Sequence, residues 1–321
     1  MESTAEISIV IINYNTAFHL KQCLKSVFEN VKEIKYEVIV VDNNSTDREI
    51  EKLAVEYPQA VFYLREANDG FAAGCNYGIS KSNGRYILLI NPDVTLIDNS
   101  VSYLKTFLDK NKDAGIVSGL MTNEKSEIIY FYNYFPSLQW EFYHLIGFGY
   151  DRKIRKLNNI AAEYGKKIFE VDWFHGAFMM MRKEDLIKAG GLNENYFMYY
   201  EDVELCYKFR NSLDKINYCI PETVYRHYTQ SSISKEKNDN IFIFHLHRGK
   251  LIFLRNYSVL KRLPFYMTGL AYVISRLLIL PVWNKYSGCR KEKLKQLLKV
   301  IRLYLSSSFV SRSKYEYISK N

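Results

Sequence analysis

Residues 7–15 read Ile7-Ser8-Ile9-Val10-Ile11-Ile12-Asn13-Tyr14-Asn15. The run from Ile7 to Ile12 lacks polar alternation, which is the pattern of a strand covered by helices on both faces of a parallel sheet. Asn13-Tyr14-Asn15 ends it. From His19 to Asn30, the apolar residues Leu20, Cys23, Leu24, Val27 and Phe28 recur at helical spacing. Val38–Val41 then makes a second buried strand that stops at Asp42. Strand, helix and strand form a β-α-β unit.

Outward from this unit the alternation continues. Thr46 with Glu49 three residues on resembles a capping box, opening a helix that carries Ile50, Leu53, Ala54 and Tyr57. A strand over 61–64 follows, then Asn68-Asp69-Gly70-Phe71-Ala72-Ala73-Gly74-Cys75-Asn76, a glycine-bearing entry into a helix, and a strand over 86–90 closed by Asn91-Pro92-Asp93. Polar residues thus follow strand after strand. In open parallel sheets that edge binds ligands, so Asn13, Asp42, Gly70 and Asp93 are expected to converge on one crevice. Beyond Gly119 the alternation breaks down, and 121–167 reads as loops and short elements covering the site. Strands are expected at 171–173 and 178–181, a helix at 183–189 stopped by Gly190-Gly191, a helix at 202–210, a strand at 216–220, and a loop through Pro221 to His227.

The 321 residues leave room for one large α/β domain or two smaller ones, and 48% hydrophobic with 25% charged residues excludes a disordered chain. The five scattered cysteines contain no C-x-x-C pair, so they give no zinc framework and point to a reducing compartment. Met1–Glu6 has no basic stretch, and the apolar run behind it is too short for a signal peptide. The net charge of +9 is unevenly placed: residues 246–321 hold 16 Lys and Arg against 2 Asp and Glu, a balance of +14, leaving 1–245 at −5. Within that tail, Leu263–Trp283 is a 21-residue stretch whose only charge is Arg276. Its length fits a bilayer, while Arg276, Pro264 and Pro281 weigh against a span. Residues 290–305 give a basic amphipathic helix with Leu294, Leu297, Leu298, Ile301 and Leu305 on one side, of the kind that lies on anionic membranes. Basic residues interleaved with aliphatic ones argue against nucleic acid as the partner. The expected organisation is an α/β domain over 1–237, with halves of about 1–120 and 121–237, and a basic helical membrane-associating region over 238–321.

Single motifs each allow a structural alternative. Asp42 is either a turn residue or a ligand-edge carboxylate. Gly70 and Gly74 serve a helix start or let backbone amides approach a phosphate. A carboxylate after a buried strand, as at Asp93, is placed to hold Mg2+ or Mn2+ beside a diphosphate, and His227 could add a second ligand or be structural. Glu201-Asp202, with Glu204 nearby, follows the aromatic run Tyr196-Phe197-Met198-Tyr199-Tyr200. Acids favour helix starts, yet in an apolar setting a carboxyl pKa rises towards that of a general base. Trp173-Phe174-His175-Gly176-Ala177 is a strand end with core aromatics or a wall on which a sugar ring stacks.

Taken in order, ISIVIINYN, VIVVDNNSTD, NDGFAAGCNYGI, YILLINPDV, WFHGAFMMMR and FMYYEDVELCYKFR resemble glycosyltransferase family 2, especially its bacterial rhamnosyltransferase-like members, over about residues 6–230. The resemblance implies an α/β, GT-A type Rossmann-like fold with a mostly parallel central sheet, and an enzyme that takes a nucleotide-diphosphate sugar and inverts its anomeric centre. Carried over by motif, it implies that Asn13, Tyr14, Asn15 and Asp42 contact the base and ribose, and that Asn44, Gly70 and Asn76 line the nucleotide pocket. Asp93 takes the final acid of the D-x-D metal motif, with Asn91 where its first acid stands, and His227 is directed at the metal. Asp202 is the catalytic base with Glu201 beside it; if the 173–177 segment forms the sugar wall, Trp173, His175 and Gly176 face substrate. It further implies a Mg2+ or Mn2+ cofactor, a donor such as dTDP-rhamnose, a glycan or polyprenyl-diphosphate-linked acceptor, and work at the cytoplasmic face of the cell membrane in surface-polysaccharide synthesis. A sugar nucleotidyltransferase would carry a glycine-rich basic loop where NYNTAFHL stands, and an oxidoreductase a G-x-G-x-x-G after Ile12. A non-catalytic membrane scaffold would have no use for both Asp93 and Asp202.

Overall fold

The computed structural model describes residues 5–47, 49–129, 132–146, 167–228, 235–282 and 288–306. The expectations placed on 147–166, Trp283 and 307–321 lie outside them. In chain order the elements are β1 (Ile7–Asn13), α1 (Ala17–Asn30), β2 (Tyr36–Asp42), α2 (Glu49–Glu56), β3 (Ala60–Leu64), α3 (Phe71–Lys81), β4 (Tyr86–Ile90), β5 (Val94–Leu96), α4 (Ser100–Lys110), β6 (Ala114–Thr122), β7 (Tyr132–Asn133) and α5 (Leu138–Ile146). There follow β8 (Phe169–Val171), β9 (Trp173–Phe174), β10 (Phe178–Arg182), α6 (Lys183–Lys188), α7 (Glu201–Ser212), β11 (Ile216–His227), α8 (Lys235–Phe253), α9 (Val259–Ile279) and α10 (Arg290–Leu305).

Two compact units emerge, one of residues 1–135, 151–193 and 201–233 and one of 136–150, 194–200 and 234–321. The second therefore draws in two stretches that the sequence assigns to the catalytic half.

The first unit is built on a sheet of order β3-β2-β1-β4-β10-β6-β11-β5, with β8 paired to β11, and a separate β7–β9 ribbon. β3, β2, β1 and β4 are parallel, β10 runs antiparallel to both β4 and β6, and β6 and β11 are parallel. Every residue of β1, β4, β6 and β10 is buried, the burial that unbroken apolar strands require in a sheet covered on both faces. At the end of β10 the buried Arg182 donates to the carbonyls of Leu108, Asn111 and Ala114, satisfying backbone acceptors at the C-terminus of α4.

Two strand expectations need correction. Phe169–Val171 and Trp173–Phe174 are separate strands that break at Asp172, whose Oδ2 accepts the Phe135 N–H at 2.8 Å. Nor does β11 end at Ile220. It continues through Pro221 to His227, because its pairing with β6 shifts between Cys219 and Val224 and a bulge dispenses with the N–H that proline lacks.

The second unit packs Leu251, Leu254, Phe265, Val273, Leu280, Leu297, Val300 and Tyr304 into its own core. Helix α9 approaches Tyr304 closely at Gly269, where a Cβ would stand 2.3 Å from the phenol oxygen. Helix α10 buries Lys293, Gln296, Leu297, Val300 and Tyr304, so its leucines divide: Leu297 faces the core, while Leu294, Leu298 and Leu305 are exposed. Helix α9 exposes Leu260, Leu263, Met267, Ile274 and Leu278, a spacing that repeats on one face of a 3.6-residue helix. No helix among the described residues is long and apolar enough to cross a membrane.

Candidate active site

Strands β1 and β2 end in register with Asn13 opposite Asp42. Asn13 Nδ2 donates to Asp42 Oδ1 at 2.7 Å and to Ser45 Oγ at 3.1 Å. Ser45 returns two bonds to the carboxylate, from Oγ to Oδ1 at 2.6 Å and from its backbone N–H to Oδ2 at 2.8 Å. Thr16 Oγ1 donates to Asn13 Oδ1 at 2.7 Å. The Asn15 N–H donates to Ser45 Oγ at 2.8 Å, and Asn15 Oδ1 accepts the Thr46 N–H at 2.7 Å. Asn15 and Asn44 hold left-handed backbone at φ 53 and 62, which asparagine tolerates better than most residues. The outcome is a fixed polar floor with Tyr14, Asn15 and Asn44 exposed above it. Ser45, Thr16 and Asn43 were not singled out in the sequence. The signal for Ser45 was its position three residues after Asp42, within reach for a side-chain-to-backbone turn.

Around Gly70 the backbone is held by local hydrogen bonds. The Gly70 N–H donates to Asn68 Oδ1 at 3.0 Å, and the Gly70 carbonyl accepts Asn43 Nδ2 at 3.1 Å. Asn43 Oδ1 in turn takes a guanidinium N–H of Arg65 at 3.0 Å. The Gly74 N–H is bonded to the Gly70 carbonyl at 3.2 Å. A Cβ on Gly74 would meet Ile12 Cγ2 at 2.9 Å, and one on Gly78 would meet Val10 Cγ1 at 2.5 Å. These two glycines seat α3 on the sheet. Asn76 is held by Leu192: its Nδ2 donates to the Leu192 carbonyl at 2.8 Å and its Oδ1 accepts the Leu192 N–H at 3.0 Å.

Strand β10 links the segments that carry the acidic residues. Its antiparallel pairing with β4 sets Phe178 opposite Ile90, and the Asn91 N–H donates to the Ala177 carbonyl at 2.9 Å. The segment 175–177 therefore lies beside 91–93. Asp93 Oδ1 sits 3.2 Å from His227 Nε2, both residues being buried. The His227 ring lies 5.6 Å from that of His175, which is exposed. The next residue, Gly176, donates its N–H to Asp202 Oδ2 at 2.9 Å. Asp202 Oδ1 accepts the Val203 N–H at 2.8 Å, so both oxygens are fixed while each retains a lone pair. A Cβ on Gly176 would stand 3.3 Å from that of Asp202.

Burial pushes the Asp202 carboxyl up to about 6, against the backbone N–H bonds from Val203 and Gly176 that favour its charge. Glu201 is held well above the carboxylate range, first by burial and then by the Asp202 charge; among the described residues its buried Oε2 finds no hydrogen-bond partner. Burial also raises the thiol of Cys75 on α3, with a smaller contribution from Glu201, so this carboxyl lies near α3. Glu204 is structural, holding Asn193 Nδ2 at 3.1 Å from each of its oxygens. Trp173 leans on the ribbon through its Nε1, which donates to the Tyr134 carbonyl at 3.0 Å.

Two observations fit a cation at Asp93 and His227. Among the described residues the buried His227 Nδ1 finds no hydrogen-bond partner, while its Nε2 faces Asp93 Oδ1, and the buried Oδ1 of Asn91 two residues before Asp93 finds none either; such orphans are costly unless a ligand relieves them. Among the described residues no three His, Cys, Asp or Glu side chains gather in a metal-holding group, so further ligands would have to come from elsewhere.

The model of the family described as "Glycosyl transferase family 2" matches residues 8–188. The chain belongs to glycosyl transferase family 2. Among family members with assigned names, it is 27% identical over 67% of its length to the low-salt glycan biosynthesis hexosyltransferase Agl10 of Haloferax volcanii, spanning 64% of that protein. It is 26% identical over 65% of its length to rhamnosyltransferase WbbL of Escherichia coli K12, covering 79% of that protein. To the N-acetylglucosaminyl-diphospho-decaprenol L-rhamnosyltransferase of Mycobacterium tuberculosis it is 24% identical over 63% of its length and 69% of the relative's. Among solved structures, mannosyltransferase PcManGT of Pyrobaculum calidifontis with GDP-Man and Mn2+ aligns at a TM-score of 0.57 and 14% identity, over 94% of this chain and 87% of that one. GalNAc-T7 with UDP, GalNAc and Mn2+ aligns at 0.61 and 12% identity, over 96% and 57%. The fold of this family 2 member is thus GT-A.

Proposed function

We propose that the chain is an inverting glycosyltransferase that moves a sugar from a nucleotide-diphosphate donor to a glycan or polyprenyl-diphosphate-linked acceptor in bacterial surface-glycan synthesis, with L-rhamnose from dTDP-rhamnose as the donor. The observation that carries this reading is the continuity from Asp93 through His227, His175 and Gly176 to Asp202, in which adjacent residues of one segment face the Asp93–His227 pair and the Asp202 carboxylate. The rhamnosyltransferase names of two relatives support the donor.

The exposed Tyr14, Asn15 and Asn44 stand over the Asn13–Asp42 floor, where they would receive the base and ribose. Asp93 and His227 are the residues that would hold Mg2+ or Mn2+, the ion carried by both structural neighbours. Bound there, such an ion supplies charge neutralisation for a departing diphosphate. Asp202, oriented by the Gly176 and Val203 amides, takes the proton of the attacking acceptor hydroxyl. A single displacement of this kind needs no covalent nucleophile, and it inverts the anomeric carbon.

The exposed row on α9 and the positive balance of residues 246–321 support association with an anionic membrane surface, at the cytoplasmic face where a lipid-linked acceptor would be met. The catalytic assignment is tested with Asp202→Asn. Transfer from dTDP-rhamnose is expected to fall by at least about a thousandfold, within the range for loss of an essential base, while dTDP binding by calorimetry stays within twofold. Undiminished turnover would remove Asp202 from the chemistry.

A further inference from the structure

A second concavity lies in the first unit at the β7–β9 ribbon and β8. Its volume is about 230 Å3, and Tyr132, Tyr134, Phe169, Glu170, Asp172 and Arg210 line it. Pockets for drug-sized ligands run to ~300–1,000 Å3, so this one suits a single small ring. Tyr132 and Phe169 meet edge to face at 5.4 Å and are buried, whereas Tyr134 is exposed. Arg210 gives Glu170 Oε2 an N–H at 3.2 Å; a guanidinium has more N–H groups than this contact uses.

The chemistry of the lining selects a ligand class. Two carboxyl side chains against one guanidinium repel a phosphate or a nucleotide, while donors and acceptors beside flat aromatic surfaces match a neutral ring with hydroxyls at its edge and C–H groups on its faces. The location selects its role. Asp172 in the lining is four residues before Gly176, whose amide holds Asp202, and four residues of chain span at most about 14 Å. Trp173 lies between the two and is tied to the ribbon through Tyr134.

Resting on the glycosyltransferase reading above, we propose that this pocket is a remote acceptor subsite, which holds a neutral sugar of the acceptor glycan some residues away from the hydroxyl that reacts. The acceptor would then be an oligosaccharide, bare or lipid-linked, and no single sugar would fill both positions.

The test is saturation-transfer NMR on the full chain with saturating dTDP, using methyl glycosides of glucose, galactose, mannose, rhamnose and N-acetylglucosamine. At least one is expected to bind, with affinity reduced about tenfold or more in the double variant Arg210→Ala/Tyr134→Ala, as loss of a charged hydrogen bond and a ring contact implies. If none of the five binds, or if binding is unchanged in the variant, the subsite is refuted. Should the double variant lose its folded circular-dichroism signal, Tyr134→Ala alone, altering an exposed ring, decides on the same two outcomes. Glycoside binding that depends on Arg210 in a protein whose Asp202→Asn form still transfers sugar would overturn the base and leave the subsite standing. Loss of transfer in Asp202→Asn without any such dependence would do the reverse.

Discussion

At Asp202 two influences oppose each other. Backbone amides from Gly176 and Val203 favour the carboxylate, yet removal from water wins and raises the group to about 6. A base must be ionised to act, so the transfer rate is expected to fall about tenfold per pH unit below that value and to level off above it. Glu201 beside it is held well above the usual carboxylate value, first by burial and then by the charge of Asp202. The sign for stability is opposite. A folded-state pKa above the unfolded 3.8 means that the native protein binds the proton more tightly, so the stability due to protonated Asp202 is present below about pH 4 and lost as pH rises through about 6. The melting temperature of Asp202→Asn, followed from pH 4 to 7, should therefore rise relative to wild type; parallel curves would contradict the raised pKa. For the other carboxylate, Asp93→Ala and His227→Ala are each expected to weaken Mn2+ binding at least tenfold by calorimetry in the presence of dTDP. Unchanged affinity in both variants would displace the cation from this pair.

Much of this residue-level arrangement was legible because strand ends advertise themselves. An unbroken aliphatic run that stops at Asn13, Asp42 or Asn91 has only one place for its polar terminator, the edge of the sheet. What could not be read was which side chains satisfy one another. Asn76 carries the same amide as Asn13, yet it spends both ends on Leu192, a residue 116 positions away, and no local pattern encodes such a partner. Ser45 was overlooked for the opposite reason, since its bonds to Asp42 are local but serine in a turn is common.

Elements show the same division. The β-α-β alternation places β1 to β4 to within a residue or two, and the bounds expected for the helix over 290–305 are those of α10. β11 was cut short because Pro221 was given its usual weight as a strand breaker, whereas the tertiary pairing with β6 supplies a bulge that absorbs it. For Gly70 and Gly74 the sequence allows either a helix start or an approach of backbone amides to a phosphate, and Gly78 carries no local signal. Their meaning lies in the sheet beneath, where Gly78 leaves 2.5 Å between a missing Cβ and Val10 Cγ1. Gly78→Val is expected to destabilise the protein by about 1–3 kcal/mol through overpacking against β1, read as a lower denaturation midpoint with an unchanged slope. A midpoint equal to wild type would mean that α3 can lift from the sheet freely.

For the whole molecule, the charge asymmetry between 1–245 and 246–321 corresponds to a real change of architecture, from an α/β sheet to a helical unit with its own core. Two faces of that unit were told apart only by packing. Leucines at 294, 297 and 298 look equivalent in sequence, and burial of Leu297 alone separates them. The exposed row of α9 is the feature most suited to meet lipid. Leu263→Glu/Met267→Glu is expected to shift the protein from vesicles containing phosphatidylglycerol to the supernatant on sedimentation, without loss of helicity. Equal partitioning of variant and wild type would exclude this face.

The reversed strand β10, set between β4 and β6, has a consequence for synthesis. Until Phe178 to Arg182 have left the ribosome, the nascent chain carries β4 as an open edge, free to pair with another copy. The polar floor of Asn13, Asp42 and Ser45 can form early, but the strand that closes that edge and the segment bearing Asp202 come late. A chain stalled in between would leave that edge bare, and holding chaperones should be needed most in that interval.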